Sequence, residues 1–313
     1  MSQLSKVLIT GGAGFIGSNL AKALVRDGDE VVVVDDLSMG NLKNIEGLNL
    51  TFFNHDVTDK KFMHTLLKEN KFDYIFFMAA IASVADSVER PLETHKVNQE
   101  AVIDTLECIY RNNLSLKRFV FTSSAAVYGD LADTPKKETS PVQPLTPYAI
   151  DKYASERYTI DYNNLYGIPT VAVRFFNVFG PNQNPNSPYS GVLSIITDKL
   201  KENKTFNLYG DGSQTRDYIY VSDVVNALRY ISTKNKRATV YNIAQGGETS
   251  LLDIIHIYEK IANKQLKIKQ LPARKGDIKR SVADISKLKN LGFTPKWSLE
   301  QGLKAYWKYE ISK

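Results

Sequence analysis

The feature that most limits the fold of this chain is a glycine-rich turn close to its N-terminus. The apolar run Lys6–Ile9 leads into Thr10–Gly17, which reads TGGAGFIG, and a helical pattern follows from Ser18 to Asp27. In a strand–turn–helix unit, glycines at this spacing permit a tight turn, close approach of the main chain to a pyrophosphate and close packing of the helix. The first helical turn then offers N–H groups and the positive end of its dipole to the phosphates. The alternative is a glycine turn with no ligand.

The next strand indicates which dinucleotide such a turn would suit. The apolar run Glu30–Val34 ends in Asp35 and Asp36. A carboxylate at this strand end can accept hydrogen bonds from both ribose hydroxyls of NAD and would repel the 2′-phosphate of NADP. We therefore predict an NAD site built on the glycine turn and this strand end.

Strands and helices alternate through the first half of the chain, which predicts a doubly wound parallel α/β sheet of the Rossmann type. The further predicted strands are Leu50–Phe53, Asp73–Met78, Phe119–Ser123 and Thr170–Phe175, and the predicted helices are Asp59–Glu69, Leu92–Asn112 and Pro147–Tyr166. The strand Asp73–Met78 is an apolar run, as expected where both faces of a parallel sheet are covered.

A change in composition after Phe176 predicts a second domain. Turn-forming residues dominate positions 180–188, and short mixed strands and helices follow. We predict an NAD-binding domain over 1–175, with a contribution from about 217–245. A smaller mixed α/β substrate domain, discontinuous in sequence, is predicted over 176–313.

Composition narrows the function classes. The net charge of +6 could indicate nucleic acid, but the basic residues are scattered and often lie near acids, which favours a solvated surface. The single Cys108 cannot form an internal disulfide and suggests a reducing compartment. No run of about 18 apolar residues is present, and Met1–Lys6 is too short and polar for a signal peptide. We expect a cytoplasmic protein with no metal site, no nucleic-acid partner and no membrane contact.

Tyr148 and Lys152 carry the strongest chemical signal. They are four residues apart in a predicted helix, so both lie on one face, one turn apart. An ammonium beside a phenol stabilises the phenolate and lowers the pKa of the phenol from about 10. Next to the hydroxyl-rich stretch Thr122–Ser124, such a phenol could remove a proton from a sugar hydroxyl while a nicotinamide takes the hydride.

With these residues in place, the chain resembles the extended short-chain dehydrogenase/reductase superfamily over nearly its whole length. Within it, the chain is similar to nucleotide-sugar 4-epimerases acting on UDP-hexoses, and most like those for UDP-N-acetylglucosamine. The matching stretches are Thr10–Gly17, Asp35–Gly40, Asp56–Val57, Ala79–Ala80, Val97–Asn98, Ser123–Gly129, Tyr148–Lys152, Arg174–Pro181 and Tyr209–Tyr218. The chain departs from the family pattern at Phe77, where relatives usually carry His, and at Asp36, where Asn is common.

The resemblance implies roles for three sets of residues. The catalytic residues would be Ser124, Tyr148 and Lys152, with Ser124 bridging the tyrosine and the substrate O4. The cofactor would be bound by Gly11, Gly14, Phe15, Ile16, Gly17, Asp35, Asp36, Ser38, Gly40, Asp56, Val57, Ala79, Ala80, Asn98, Tyr148 and Lys152. The substrate would be bound by Ser83, Ser123, Ser124, Asn177, Val192, Tyr209, Arg216, Arg274, Asp277 and Ser281. Arginine suits the diphosphate because its planar fork can donate two hydrogen bonds at once.

The reaction type is indicated by the absence of acidic residues directly after the active-site serine. Related 4,6-dehydratases carry an acid pair directly after the active-site Ser/Thr, and decarboxylating relatives tend to carry Glu nearby. Here those positions are Ala125 and Ala126, which cannot transfer protons. The simplest outcome is transient oxidation to a 4-keto sugar and return of the hydride to the opposite face, with bound NAD regenerated each turnover. A dehydratase or reductase, or a non-catalytic NAD-binding regulator, remains the alternative.

Two finer predictions follow from the same resemblance. Ser281 occupies the position where small residues admit a sugar N-acetyl group and a Tyr excludes it, which predicts UDP-GlcNAc and UDP-GalNAc as substrates, with UDP-Glc and UDP-Gal as a second pair. A homodimer is expected through the helices Leu92–Asn112 and Pro147–Tyr166, since these helices pair across a two-fold axis in the superfamily. Their apolar residues Val97, Ala101, Leu106, Ile109, Tyr158, Tyr162 and Leu165 could instead face only the sheet.

Overall fold

The structure, a computed structural model, describes residues 4–184, 191–234, 237–273 and 278–313. The strands are β1 Lys6–Thr10, β2 Glu30–Asp35, β3 Thr51–Asn54, β4 Tyr74–Phe77, β5 Arg118–Ser124, β6 Thr170–Phe175, β7 Asn177–Phe179, β8 Phe206–Tyr209, β9 Thr215–Arg216, β10 Tyr218–Tyr220, β11 Val240–Ile243, β12 Thr249–Ser250, β13 Ile268–Leu271 and β14 Arg280–Ser281. The helices are α1 Phe15–Arg26, α2 Lys60–Glu69, α3 Val84–Glu89, α4 Pro91–His95, α5 Ala101–Arg111, α6 Pro147–Tyr166, α7 Val192–Glu202, α8 Val221–Thr233, α9 Leu251–Ala262, α10 Ser286–Asn290 and α11 Leu299–Ile311.

The chain divides into two compact units. The first comprises residues 1–127, 144–174 and 225–241, and the second comprises 128–143, 175–224 and 242–313. The segment 128–143, which the sequence-based boundary placed in the first domain, belongs to the second unit. It is held there by main-chain hydrogen bonds, since Lys136 N donates to Val282 O (2.8 Å) and Asp284 N donates to Lys136 O (2.8 Å).

A seven-stranded parallel sheet in the order β3-β2-β1-β4-β5-β6-β11 confirms the predicted doubly wound α/β fold. The order reverses between β1 and β4, and ligands of such sheets bind at the carboxyl ends of the strands at this switch point. Strand β1 is fully buried after its first residue and β5 up to its last, because helices cover both faces of the sheet.

The predicted helix Leu92–Asn112 is helical over nearly its whole length, but it contains a π-turn that the sequence analysis did not predict. The structure has two helices, α4 and α5, joined by a π-helical turn at Lys96–Glu100, and a further short helix, α3, precedes them. Ser83 caps α3 by accepting a hydrogen bond from Asp86 N (2.7 Å), and Pro91 starts α4 at a position where its missing N–H costs nothing. The π-turn brings Asn98 inward, where its side chain is 1% exposed.

The second unit is built from short strands and helices. Its strands form the pairs β7–β10 and β8–β13 and the three-stranded sheet β12-β9-β14. Helix α11 starts with a capping box, in which Ser298 and Gln301 exchange hydrogen bonds. Among the described helices, none is long and apolar enough to cross a membrane.

Candidate active site

The glycine turn has the geometry that a dinucleotide phosphate requires. Gly11 adopts a φ of 71°, and a Cβ atom on Gly17 would lie 2.2 Å from the Gly11 carbonyl oxygen. Gly14 is the N-cap of α1 and has no side chain to accept the first-turn N–H groups, nor does that turn carry an acidic residue. These residues therefore fit the pyrophosphate of NAD, with Phe15 and Ile16 half-buried in the same turn.

Asp35 also holds the glycine turn in place, a role that sequence reasoning missed. Its carboxylate is 6% exposed and accepts hydrogen bonds from Ala13 N and Leu37 N, both at 2.9 Å. Burial raises the pKa of this carboxyl group, while these N–H groups lower it. Gly40 packs directly against it, since a Cβ there would lie 2.5 Å from Asp35 Oδ1. The acid thus couples the end of β2 to the phosphate-binding turn.

The neighbouring predicted cofactor residues differ in their exposure to solvent. Asp36 is exposed and accepts hydrogen bonds from the main chain and hydroxyl of Ser38. Asp56 is also exposed and accepts from Thr58 N (2.8 Å), whereas Val57 is 6% exposed and belongs to the core.

Thr10, like Asp35, is a buried residue whose role at this site was not predicted from the sequence. Its hydroxyl accepts hydrogen bonds from Met78 N (3.0 Å) and Ala79 N (3.2 Å), joining the ends of β1 and β4. Ala79 and Ala80 follow β4 at the switch point of the sheet, where small side chains leave room for a cofactor. Asn98 fixes the following turn, because its side chain accepts from Ile81 N (2.8 Å) and donates to Ile81 O (3.0 Å).

The three predicted catalytic residues come together within the first unit. Ser124 ends β5, and its oxygen accepts from Ala126 N (3.2 Å), which leaves its proton for the Tyr148 phenol to which it is hydrogen-bonded. Tyr148 stands in the first turn of α6, which Thr146 caps and Pro147 begins. Lys152 is 3% exposed, and its ammonium donates to the Thr122 carbonyl at 2.9 Å.

The predicted lowering of the Tyr148 pKa by Lys152 is wrong. Although the residue as a whole is half-buried, burial raises the pKa of its phenol, and the hydrogen bond from Ser124 is what lowers it. Burial also lowers the pKa of Lys152 to about 7, against the opposing charge of Asp151. The sequence spacing placed the two groups on one face but did not show how little solvent surrounds either.

Asp151 and His95 form a pair beside this site that the sequence did not reveal. His95 Nδ1 lies 2.8 Å from Asp151 Oδ1, and the Asp151 carboxylate is almost fully buried. Burial raises the pKa of Asp151, and the His95 contact lowers it. Because its charge favours the ammonium form of Lys152, Asp151 offsets part of the burial cost at this lysine.

The predicted substrate residues from Asn177 onward fall into three groups. Asn177, Val192, Tyr209 and Arg216 line a cavity of about 500 Å³ within the second unit. Ser281 pairs with Arg216 across β14 and β9. Arg274 and Asp277 lie outside the described residues.

Ser83 and Ser123 differ in the state of their hydroxyls. The Ser83 oxygen caps α3, as described above, so it is already engaged with the main chain. The Ser123 side chain is 3% exposed, and its oxygen has no hydrogen-bond partner within the described part of the chain. No group of three or more potential metal ligands occurs there either.

Comparison with known proteins agrees with this geometry. Residues 7–244 match the NAD dependent epimerase/dehydratase family. A putative UDP-glucose 4-epimerase of Methanocaldococcus jannaschii is 36% identical over 301 residues, which cover 95% of this chain and 96% of the relative.

Two solved structures are similar throughout. The UDP-glucose 4-epimerase of Thermotoga maritima, solved with UDP-glucose, superimposes with a TM-score of 0.93 at 35% identity, covering 98% of this chain and 99% of that one. A UDP-N-acetylglucosamine 4-epimerase of Methanobrevibacter ruminantium M1, solved with UDP-N-acetylmuramic acid, gives the same TM-score and identity and covers 99% of both chains.

The fold and site thus define an NAD-dependent enzyme of the Rossmann class. The chain belongs to the NAD dependent epimerase/dehydratase family, and the relative and the two solved structures named above are 4-epimerases, which are isomerases. This confirms the family resemblance and the cofactor that the sequence predicted.

Proposed function

We propose that this protein is a UDP-sugar 4-epimerase. The observation that carries the proposal is the hydrogen-bonded pair Ser124 and Tyr148, with the buried Lys152 one helical turn after Tyr148. Ala125 and Ala126 follow Ser124 in a 3₁₀ turn. The pair can move one proton, and the two alanines provide no second acid–base group for eliminating water or assisting decarboxylation. Reversal of the oxidation at C4 is then the simplest outcome.

In this reaction, Tyr148 takes the proton of the sugar O4 hydroxyl directly or through Ser124. NAD held at the glycine turn and at the end of β2 would provide the acceptor for the C4 hydride and, once reduced, the donor for its return. Lys152 provides positive charge near the developing phenolate, and its hydrogen bond to Thr122 O holds the ammonium in place. Once the 4-keto sugar has turned its other face, Tyr148 returns the proton to O4, so that the product is the C4 epimer.

We propose that the cavity of the second unit binds the diphosphate and nucleoside of the substrate. Arg216 and Asn177 supply donors suited to phosphate oxygens, and Val192 and Tyr209 supply apolar and aromatic surface. The relatives solved with UDP-glucose and UDP-N-acetylmuramic acid support a uridine nucleotide. Arg274 and Asp277, which lie outside the described residues, belong to this proposal on the sequence resemblance alone.

We further propose UDP-GlcNAc and UDP-GalNAc as the main substrate pair, with UDP-Glc and UDP-Gal as the second. The support is Ser281, a small half-buried residue that pairs with Arg216 in adjacent strands. A small residue here leaves space beside the sugar for an N-acetyl group.

A homodimer is also proposed, on a changed set of residues. Ala101, Leu106 and Ile109 of α5 are buried in the core of the first unit, so that part of the predicted stripe faces the sheet side. Apolar side chains that remain exposed on α3, α4 and α6 are Val88 (61%), Leu92 (77%), Tyr158 (43%) and Leu165 (70%). Such a concentration of exposed apolar residues on adjacent helices favours an isologous contact with a second copy.

The test is incubation of the purified protein with each UDP-sugar and no added reductant. An epimerase yields an equilibrium mixture of two C4 epimers from either starting sugar. Formation of a 4-keto-6-deoxy sugar would establish a dehydratase instead, and loss of carbon dioxide from a UDP-uronate would establish a decarboxylase. If no sugar changes although NAD is bound, the protein is a non-catalytic binder.

A further inference from the structure

Three of the residues proposed to bind substrate meet at one residue that was assigned no role. Asp217 is the single residue between β9 and β10. Its N–H donates to the Ser281 carbonyl (2.9 Å), and its carbonyl accepts from Asn177 N and from Asn177 Nδ2, both at 3.1 Å. Arg216 directly precedes it. The main chain of Asp217 therefore sets the spacing of Asn177, Arg216 and Ser281.

The side chain of Asp217 anchors this junction from the other side. The residue is 0% exposed, and its carboxylate accepts hydrogen bonds from Gln245 N (2.9 Å), Gly246 N (3.0 Å) and Ala283 N (3.3 Å). Ala283 lies two residues after Ser281, so one side chain ties the turn at 245–246 to the strand that carries Ser281. Only a group that accepts without donating can satisfy several converging N–H groups.

We propose that Asp217 is a positioning residue for substrate binding: its buried carboxylate aligns Asn177, Arg216 and Ser281, so that the cavity recognises a nucleoside diphosphate. This inference rests on the proposed function, which assigns those three residues to the substrate. Asp217 itself touches neither substrate nor cofactor. Its effect is on affinity, because the proton-transfer residues Ser124 and Tyr148 belong to the first unit.

The ionisation of Asp217 agrees with this role. Burial raises the pKa of its carboxyl group to about 6, while the N–H groups of Gln245, Ala283 and Gly246 lower it. At pH 8 the group is therefore an anion and accepts from all of them. An amide in its place would turn an NH₂ group toward main-chain N–H donors, leaving buried donors unsatisfied.

A matched control exists within the same unit. Asp223 is also 0% exposed, and its carboxylate accepts from Lys296 N (3.0 Å) and Trp297 N (2.9 Å). Its pKa is likewise raised by burial. Asp223→Asn should therefore cost similar stability, yet its partners include none of the residues proposed to bind substrate.

The experiment compares the NAD-loaded wild type, Asp217→Asn and Asp223→Asn at pH 8. UDP affinity is measured by titration calorimetry, and the melting temperature and bound NAD are measured on the same preparations. We expect Asp217→Asn to weaken UDP binding about 10-fold or more, and Asp223→Asn to change it less than about 2-fold, although both melt earlier. In turnover assays Asp217→Asn should raise KM with little change in kcat.

The inference is overturned if folded Asp217→Asn binds UDP like the wild type, or if both variants weaken UDP binding equally. It is also overturned if the wild type does not bind UDP. If Asp217→Asn does not fold, Gln245→Pro decides, since it removes one donor to the carboxylate; about 3-fold weaker UDP binding supports the inference, and unchanged binding contradicts it. A wild type that binds UDP but epimerises no sugar would refute the proposed function and leave this inference standing on its own result.

Discussion

At the scale of single residues, the environment of each catalytic group matters as much as its identity. The spacing of Tyr148 and Lys152 predicted that they share one helix face. In the structure Tyr148 is hydrogen-bonded to Ser124, and Lys152 donates to the Thr122 carbonyl. The pKa values of these two groups could not be predicted, because burial is the largest influence on both. The periodicity of a sequence does not show how deeply a single side-chain atom is buried. Thr10, His95 and Asp151 were missed for a related reason, since their partners are distant in sequence.

Tyr148→Phe tests the proton-transfer role. Removing the hydroxyl should lower kcat by about 10²–10⁴-fold, the usual contribution of a general acid–base group, while NAD stays bound. The exposed Tyr158 of the same helix provides the control, since Tyr158→Phe should leave turnover unchanged. Epimerase activity above a tenth of the wild-type rate in Tyr148→Phe would contradict the assignment.

Lys152→Met should separate activity from stability. Lys152 is protonated less readily in the folded protein than in the unfolded chain, because burial lowers its pKa from 10.5 to about 7. The variant should lose activity. Its free energy of unfolding at pH 7 should nevertheless exceed that of the wild type by on the order of 2–4 kcal/mol, after allowing for the lost hydrogen bond. This difference should be full below about pH 7 and shrink as the pH rises toward 10.5. Urea unfolding of cofactor-free protein at pH 7 and pH 9.5 measures it, and a less stable variant at pH 7 would refute it.

Ser281→Tyr tests the substrate preference. A phenol at this position should exclude the N-acetylated sugars sterically, lowering kcat/KM for UDP-GlcNAc by at least about 10-fold while sparing UDP-Glc. The Ser281 main chain, which accepts from Asp217 N, is unaffected by the change. Ser281→Ala is the matched control and should keep both activities. Equal losses on both sugar pairs in Ser281→Tyr would show that residue 281 is not the gate.

At the scale of elements, local signals located most of the helices and strands of the first unit. Helix α6 spans Pro147–Tyr166 and β6 spans Thr170–Phe175, each with the predicted bounds. The π-turn between α4 and α5 was not predictable from apolar periodicity. Such a turn shifts the helical phase by one residue, and the chain remains helical on both sides of it. Its reason is tertiary, since Asn98 turns inward to hold Ile81.

Gly17→Ala tests the phosphate-binding turn as an element. The added methyl would meet the Gly11 carbonyl at 2.2 Å and the Gly12 Cα at 2.8 Å, both main-chain atoms that cannot move independently. We expect α1 to be displaced and bound NAD to fall at least about 10-fold, as measured by absorbance after denaturation of the purified protein. Gly247→Ala is the control, because nothing lies within 4 Å of a Cβ there. Full NAD content in Gly17→Ala would contradict this account of the turn.

At the scale of the whole molecule, tertiary contacts decided both the unit boundaries and which apolar side chains of the first unit remain exposed. Unit boundaries followed contacts rather than composition, which is why 128–143 joined the second unit. Tertiary contacts also decided the environment of the apolar residues of α5: Ala101, Leu106 and Ile109, predicted to lie in a dimer interface, are buried in the core of the first unit. The residues left exposed on α4 and α6 are those that support a dimer.

The dimer prediction is tested by charge substitution on its proposed face. Leu92 and Leu165 are 77% and 70% exposed, so neither substitution should disturb the monomer core. Leu92→Glu combined with Leu165→Glu should convert a dimer into a monomer at about 10 µM, as measured by light scattering, because like charges would face each other across an isologous contact. Ile311→Glu, at an exposed position of α11, should leave the dimer intact. A monomeric wild type would reject the dimer outright.

The sequence by itself determined the fold class, the NAD cofactor and the grouping of Ser124, Tyr148 and Lys152, which we propose as catalytic. These rest on short-range patterns: a glycine turn within eight residues, apolar runs at strand length, and a phenol and an amine one helical turn apart. Tertiary structure alone decided the strand order, the assignment of 128–143, and the protonation of the buried groups. It also decided the role of Asp217, whose carboxylate meets Ala283 N across 66 residues. Such contacts depend on how distant segments fold together and exclude water, and no local pattern in the chain encodes either.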